Sequence, residues 1–198
     1  MADAVPPLTA APTRRLPRGQ RRAQILAAAT RTFAKAGFAA TNLDDIAAEA
    51  GISRAILYRH FDSKTDLYQA VLDSACGRLI IATGADEFTE ESIGGLLAAA
   101  AADPAGFRLL FHHAAREPEF RQAMDQFQAD MTTVAHKHLA ATIPSPAWAA
   151  WAAQLVPTVA IAAVTAWLDT GRPDPDAAAD RIREAIYGVI AAAQHAGQ

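Results

Sequence analysis

Apolar residues recur at three- and four-residue spacing along most of the chain, and sustained alternation of apolar with polar residues is rare. That period belongs to the α-helix, not to the strand. Alanine runs are frequent and the strand-favouring Val, Ile, Thr and Tyr are sparse, so the pattern predicts an all-α fold. A first helix is expected over residues 19–36, with Ile25, Ala29 and Phe33 stacked on one face and Arg21, Arg22, Arg31 and Lys35 off it. Gly37 stops it by taking the left-handed conformation, and Phe38 folds back on the last turn.

Thr41 is expected to cap a second helix, whose first turn carries Asp44 and Asp45 and whose inner face is Leu43, Ile46, Ala47 and Ala50. Gly51 ends that helix, Ile52 re-enters the core, and Ser53 caps a third helix over residues 54–60. Two short helices joined by a glycine turn form a helix-turn-helix pattern. Asp62 or Ser63 then caps a fourth helix that runs through Leu67, Val71 and Leu72 towards Ile80. After a polar linker at 83–91, prolines and Gly171 divide the remainder into helices over 92–102, 104–116, 117–142, 146–168 and 176–196. The organisation expected is a disordered arm at 1–17, a helix-turn-helix head at 18–64 and a helical body at 65–198. The arm lacks the basic and apolar regions of a signal peptide.

Charge sharpens this division. The net charge is −3, but residues 1–61 hold nine Lys and Arg against four Asp and Glu, whereas the remainder holds nine against 17. A basic head on an acidic body suits a phosphate backbone at one end only. On a helical wheel, Ile56 and Leu57 fall on one side of the third helix, and Arg54, Ala55, Tyr58 and Arg59 share the other. Arg54 has the fork that matches guanine O6 and N7, Ala55 lets the backbone approach the bases, and Tyr58 can donate to a phosphate. Ser53 and Thr41, at helix N-termini, are candidates for phosphate contacts, and Lys64 is placed to clamp the DNA backbone beside them.

The residues from Thr41 to Lys64 resemble the signature of the TetR-type bacterial regulators. The likeness lies in the turn Ile46-Ala47-Ala48-Glu49-Ala50-Gly51 and the exit Leu57-Tyr58-Arg59-His60-Phe61-Asp62-Ser63-Lys64, which occur together at the family spacing. The strong part spans residues 18–72. The resemblance implies DNA contacts at Thr41, Ser53, Arg54, Ala55, Tyr58, His60 and Lys64, although the wheel puts His60 nearer the inner side. It also implies a homodimer made by the last two helices of each subunit, and hence a palindromic operator in double-stranded DNA.

The uncharged stretch 144–168 agrees with such a dimer. It is long enough to span a membrane, yet much of it is alanine, it contains Gln154, Pro157, Thr158 and Thr165, and no basic residues closely flank it. A soluble helix apolar on all sides needs core on one side and another subunit on the other. In the body, Phe107, Phe111, Met124, Phe127, Met131, Trp148, Trp151 and Trp167 are large enough to line a cavity for a small apolar or aromatic effector, though many such residues are simply core. His112, His113 and Arg116 are the polar candidates within it. The effector contacts expected are Phe107, Phe111, His112, Arg116, Met124, Phe127, Trp148 and Trp151.

No cofactor, metal or catalytic residue is expected. His113 and Glu117 share a helix face but lack a third ligand, and His136 and His138 point to different sides. No nucleophile–base constellation or phosphate loop is present in the sequence. Cys76 stands alone, which suits a reducing cytoplasm. The expectation is a cytoplasmic, ligand-responsive regulator, most simply a repressor released from its operator by the effector, with helix 4 transmitting the shift. The rivals are a helical protein-interaction module and a small-molecule enzyme without DNA regulation.

Overall fold

The computed structural model describes residues 16–84, 89 and 91–195. The expected arm at 1–17 and linker at 83–91 therefore lie largely outside the described residues. Among those described, nine α-helices and no strand are present.

Helix α1 (Arg18–Ala40) breaks at Gly37, whose φ of 78° and ψ of 170° belong to glycine. The chain resumes a last turn to Ala40, four residues beyond the expected end. Phe38 folds back as expected, its ring 6.2 Å from Phe33 and 5.0 Å from Tyr68. Thr41 closes α1 and does not open α2: it is buried, and its hydroxyl donates to the Gly37 carbonyl at 2.7 Å. The N-cap of α2 (Leu43–Glu49) is Asn42, which accepts from Asp45 N while Asp45 accepts from Asn42 N. Leu43, Ile46, Ala47 and Ala50 are buried, the inner face expected.

Gly51, with φ of 63°, turns the chain into α3 (Arg54–Tyr58), two residues shorter than its pattern predicts. Of the two candidate caps for α4 (Lys64–Thr83), Ser63 is the one that accepts from Asp66 N, while Asp62 N donates to the Asp66 carboxylate at 3.1 Å. Gly84 ends α4 with a left-handed cap.

In the body, α5 (Ser92–Ala102) crosses α4 at Gly95, where a Cβ would stand 1.7 Å from the Ala82 carbonyl oxygen. A bend of 106° at Asp103 leads into α6 (Pro104–Arg108), which continues through a wide π turn (Leu109–His113) and a tight 3-10 turn (Ala114–Arg116). Glu117 is extended, so α7 (Arg121–Leu139) starts four residues later than expected. The antiparallel helices α8 (Pro146–Asp169) and α9 (Pro175–His195) complete the body.

One continuous core joins head to body, from Ile25, Phe33, Ile46 and Leu57 through Tyr68 and Leu109 to Val164 and Ile186. A smaller cluster at the far end unites Leu139, Ile143, Ala152 and Ala193. By length and hydropathy α8 would pass for a membrane span. Its Ala149, Ala152, Ala153 and Val164 are instead buried in the bundle, whereas Trp148, Trp151, Gln154, Thr158, Ala162 and Ala166 form an exposed face without charge.

Candidate nucleic-acid interface and body cavity

Three ties fix α2 and α3 against α1. Gln24 donates to the Ala50 carbonyl at 2.7 Å, Arg31 pairs with Glu49 at 2.8 Å, and Arg22 donates to the His60 carbonyl at 3.2 Å. The Arg22 guanidinium also stacks 4.3 Å from the centre of the buried Phe61 ring. With Leu57 fully buried, Arg54, Ala55, Tyr58 and Arg59 stand exposed on the opposite side of α3. Helix α3 is thus a short rod held by its inner side chain, presenting one basic and aromatic arc outward.

Arg54 donates to Asp44 at 2.9 Å and to the Tyr58 hydroxyl at 3.2 Å, and these two contacts raise its pKa in that order: Tyr58 first, then Asp44. The guanidinium is fully charged and oriented along α3. Ser53 stands at the expected N-cap of α3, exposed and without a side-chain cap bond. His60 lies beyond α3, in the turn that follows, and is half-buried. Burial lowers its pKa from the ordinary value, with Arg18, Arg22 and Arg21 adding to the effect.

Two expected contact residues are engaged inside the head. Thr41 has its hydroxyl on Gly37, and it lies before α2 instead of at its N-cap. Lys64 turns inward: its ammonium donates to Phe38 O at 2.9 Å and Thr41 O at 3.1 Å, and it sits 4.3 Å from the Phe38 ring centre. It caps the C-terminal carbonyls of α1, where a cation is favoured. Sequence reasoning missed Asn42 as the cap and Asp44 as the partner of Arg54. The Asn42-to-Asp45 spacing of a capping box was the available signal for the first.

The body holds a cavity of about 1010 Å³ between α4, α5, α7, α8 and α9, with Phe111 of the π turn reaching it from α6. Of the expected effector contacts, Phe111 and Phe127 line it. Phe107 is buried behind Phe111, with ring centres 4.8 Å apart, and Met124 belongs to the main core. His112 and Arg116 are exposed and do not line the cavity. Trp148 and Trp151 also lie outside it, packed edge to face at 5.4 Å on the exposed face of α8. The lining that the sequence did not single out comes chiefly from α7 and α9, including Val134, His138, Arg183, Ile186, Tyr187 and Ile190. Among the described residues, no three His, Cys, Asp or Glu side chains gather as a metal site.

Residues 25–71 match the family model described as bacterial regulatory proteins, tetR family. The HTH-type transcriptional activator FasR of Mycolicibacterium smegmatis is 47% identical over 66 residues, covering 33% of this chain and 30% of that protein. The HTH-type transcriptional regulator TtgR of Pseudomonas putida is 55% identical over 53 residues, covering 27% of this chain and 25% of its own. The matched part is thus less than a third of either relative. Across the whole fold, a TetR-like transcriptional regulator from Rhodococcus sp. RHA1 superposes with a TM-score of 0.77 at 24% identity, covering 89% of this chain and 99% of that one.

Proposed function

Because this chain belongs to the TetR family of bacterial regulatory proteins, we propose that it is a homodimeric, cytoplasmic transcription regulator that reads a palindromic operator and is released by a small apolar effector. The observation that carries the reading is the outward arc of α3, Arg54, Ala55, Tyr58 and Arg59, in an N-terminal part whose residues 1–61 hold nine Lys and Arg against four Asp and Glu. Arg54 reads a guanine edge, Ala55 permits close approach, and Tyr58, Arg59, Ser53 and His60 meet backbone phosphates. Lys64 and Thr41 support this surface from behind by holding the end of α1.

The uncharged face of α8, with Trp148 and Trp151 at its start, supports pairing with the same face of a second copy. Two heads related by a two-fold axis then meet inverted half-sites about one helical turn of DNA apart.

The effector class follows from the cavity. Its α7 wall runs from Phe127 to Leu139, roughly 18 Å at the α-helical rise. Apolar side chains make up most of that wall and of the facing residues of α8 and α9, with Asp130, His138, Arg183, Tyr187 and Gln194 as the polar groups among them. An elongated, mainly apolar molecule fits such a lining, and its effect on DNA is the differential affinity for two spacings of the heads.

Selection of bound DNA from a random pool tests the reading, followed by a screen for small molecules that release the enriched sequence. An inverted repeat with a steep salt dependence is expected. Failure of the chain to enrich any sequence would overturn the regulator reading, and enrichment without any releasing compound would overturn the effector reading alone.

A further inference from the structure

Glu117 belongs to the body, at the end of the 3-10 turn that closes α6, yet its carboxylate reaches the head. Its Oε1 accepts from Phe38 N at 3.2 Å, beside the break that Gly37 makes in α1. The same Phe38 residue is held from the other side, where its carbonyl accepts from the Lys64 ammonium at 2.9 Å. Phe38 is therefore gripped at its N–H by an anion from the body and at its carbonyl by a cation from the head.

A second donor stands close by. Tyr68 packs its ring against Phe33, Phe38 and Phe120 at 4.8, 5.0 and 4.4 Å, and its hydroxyl is buried without a hydrogen-bond partner. The Tyr68 ring stands 5.0 Å from that of Phe38, whose N–H the Glu117 carboxylate holds, and burial followed by the negative charge of Glu117 raises the Tyr68 pKa. A buried hydroxyl left unpaired costs free energy that a carboxylate acceptor would recover. Glu117 thus has one donor engaged and another available.

Resting on the regulator reading above, we propose that Glu117 is a positioning residue that sets the attitude of the DNA-reading head on the body, its carboxylate exchanging between Phe38 N–H and Tyr68 O–H. When it holds Phe38, the end of α1 is fixed and α2 and α3 follow through Gln24, Arg31 and Arg22. When it turns to Tyr68, the end of α1 is released. The contact reaches α1 directly, a route from body to head separate from α4.

The test uses the full chain and the DNA that the wild-type protein itself enriches from a random pool. Glu117→Ala is expected to speed exchange of the Phe38 amide hydrogen and weaken DNA binding, each by about tenfold, the scale of one hydrogen bond to a charged acceptor. Glu117→Gln keeps an acceptor oxygen and is expected to restore both towards wild type, a rescue that a merely space-filling role would not distinguish. Tyr68→Phe removes the competing donor and is expected to slow Phe38 exchange below the wild-type rate. Unchanged Phe38 exchange in Glu117→Ala overturns the contact. Altered exchange with unchanged DNA affinity overturns the positioning role while leaving the regulator reading intact. Failure of the wild-type chain to enrich DNA removes both.

Discussion

Arg54 donates to Asp44 at 2.9 Å across the turn between α2 and α3, so the side chain best shaped to read a base edge is held by an acid of its own head. Both side chains are more than half exposed, at 53% and 65%. Solvent and salt therefore screen the pair, and DNA can take Arg54 from Asp44 without breaking a buried ion pair.

The first prediction concerns this competition. Asp44→Ala releases Arg54 and removes an anion from the surface facing phosphate, so DNA binding should tighten by about three- to tenfold at low salt, with a smaller gain at high salt. Arg54→Ala should weaken binding by about ten- to a hundredfold and relax base choice at one position of each half-site. Titrations of the enriched DNA at two salt concentrations check both. Equal affinity of Asp44→Ala and wild type at low salt would show that the acid does not restrain Arg54 on the DNA-binding path.

Lys64 provides the contrasting case. Its ammonium lies on the carbonyls of Phe38 and Thr41, so its removal should act on stability. Lys64→Met, which keeps much of the apolar stem over Phe38, should cost about 1–3 kcal/mol of folding free energy, the range for charge-assisted bonds. The slope of log affinity against log salt should stay the same, whereas loss of a phosphate contact would reduce it by about one. Denaturant unfolding and a salt series separate the two roles, and a reduced slope in a fully stable variant would return Lys64 to the DNA surface.

Much of this is legible in the sequence because local signals agree. Gly37, Gly51 and the prolines punctuate the helices, and apolar stripes at helical spacing mark their inner faces. Thr41 and Asn42 are both good N-caps and adjacent in sequence, and packing that buries Thr41 against the end of α1 decides between them. The role of Lys64 depends on carbonyls more than 20 residues away, which no local pattern reveals. Trp148 and Trp151 stand outside the cavity expected around them because α8 is apolar on every face, so its periodicity does not distinguish inside from outside. On α7, Val134 and His138 continue the cavity wall from Met131 at helical spacing, a signal outweighed in the sequence by larger aromatic side chains elsewhere.

Gly95 reverses the usual effect of a helix glycine. In an open helix, Gly→Ala gains up to about 1 kcal/mol. Here the new Cβ would meet the Ala82 carbonyl oxygen of α4 at 1.7 Å, a backbone atom that moves only if the helices separate. Gly95→Ala should therefore destabilise the chain by about 1–3 kcal/mol, the usual range for overpacking. At Gly94, one residue earlier, an added Cβ would meet nothing within 4 Å, so Gly94→Ala is the matched control and should be neutral or stabilising. Thermal unfolding of both variants decides the matter, and two equally stable proteins would contradict a tight α4–α5 crossing at Gly95.

The last prediction is a dependence on pH. In the free chain the pKa of His60 is held below the ordinary 6.5, first by burial and then by Arg18, Arg22 and Arg21. The folded chain thus binds fewer protons at His60 than the unfolded chain as pH falls through that range. Its contribution to stability is present above 6.5 and is lost as pH falls towards the folded value. A phosphate beside the ring acts in the opposite sense, because a nearby anion favours the imidazolium and so raises the pKa. DNA binding should therefore take up a proton, and affinity should rise as pH falls towards and below the ordinary 6.5 while thermal stability declines below it. The chain has five other histidines, so the assignment depends on His60→Gln, which should flatten the His60 component of both trends. Wild-type DNA affinity with the same pH dependence as His60→Gln would mean that no phosphate reaches this ring.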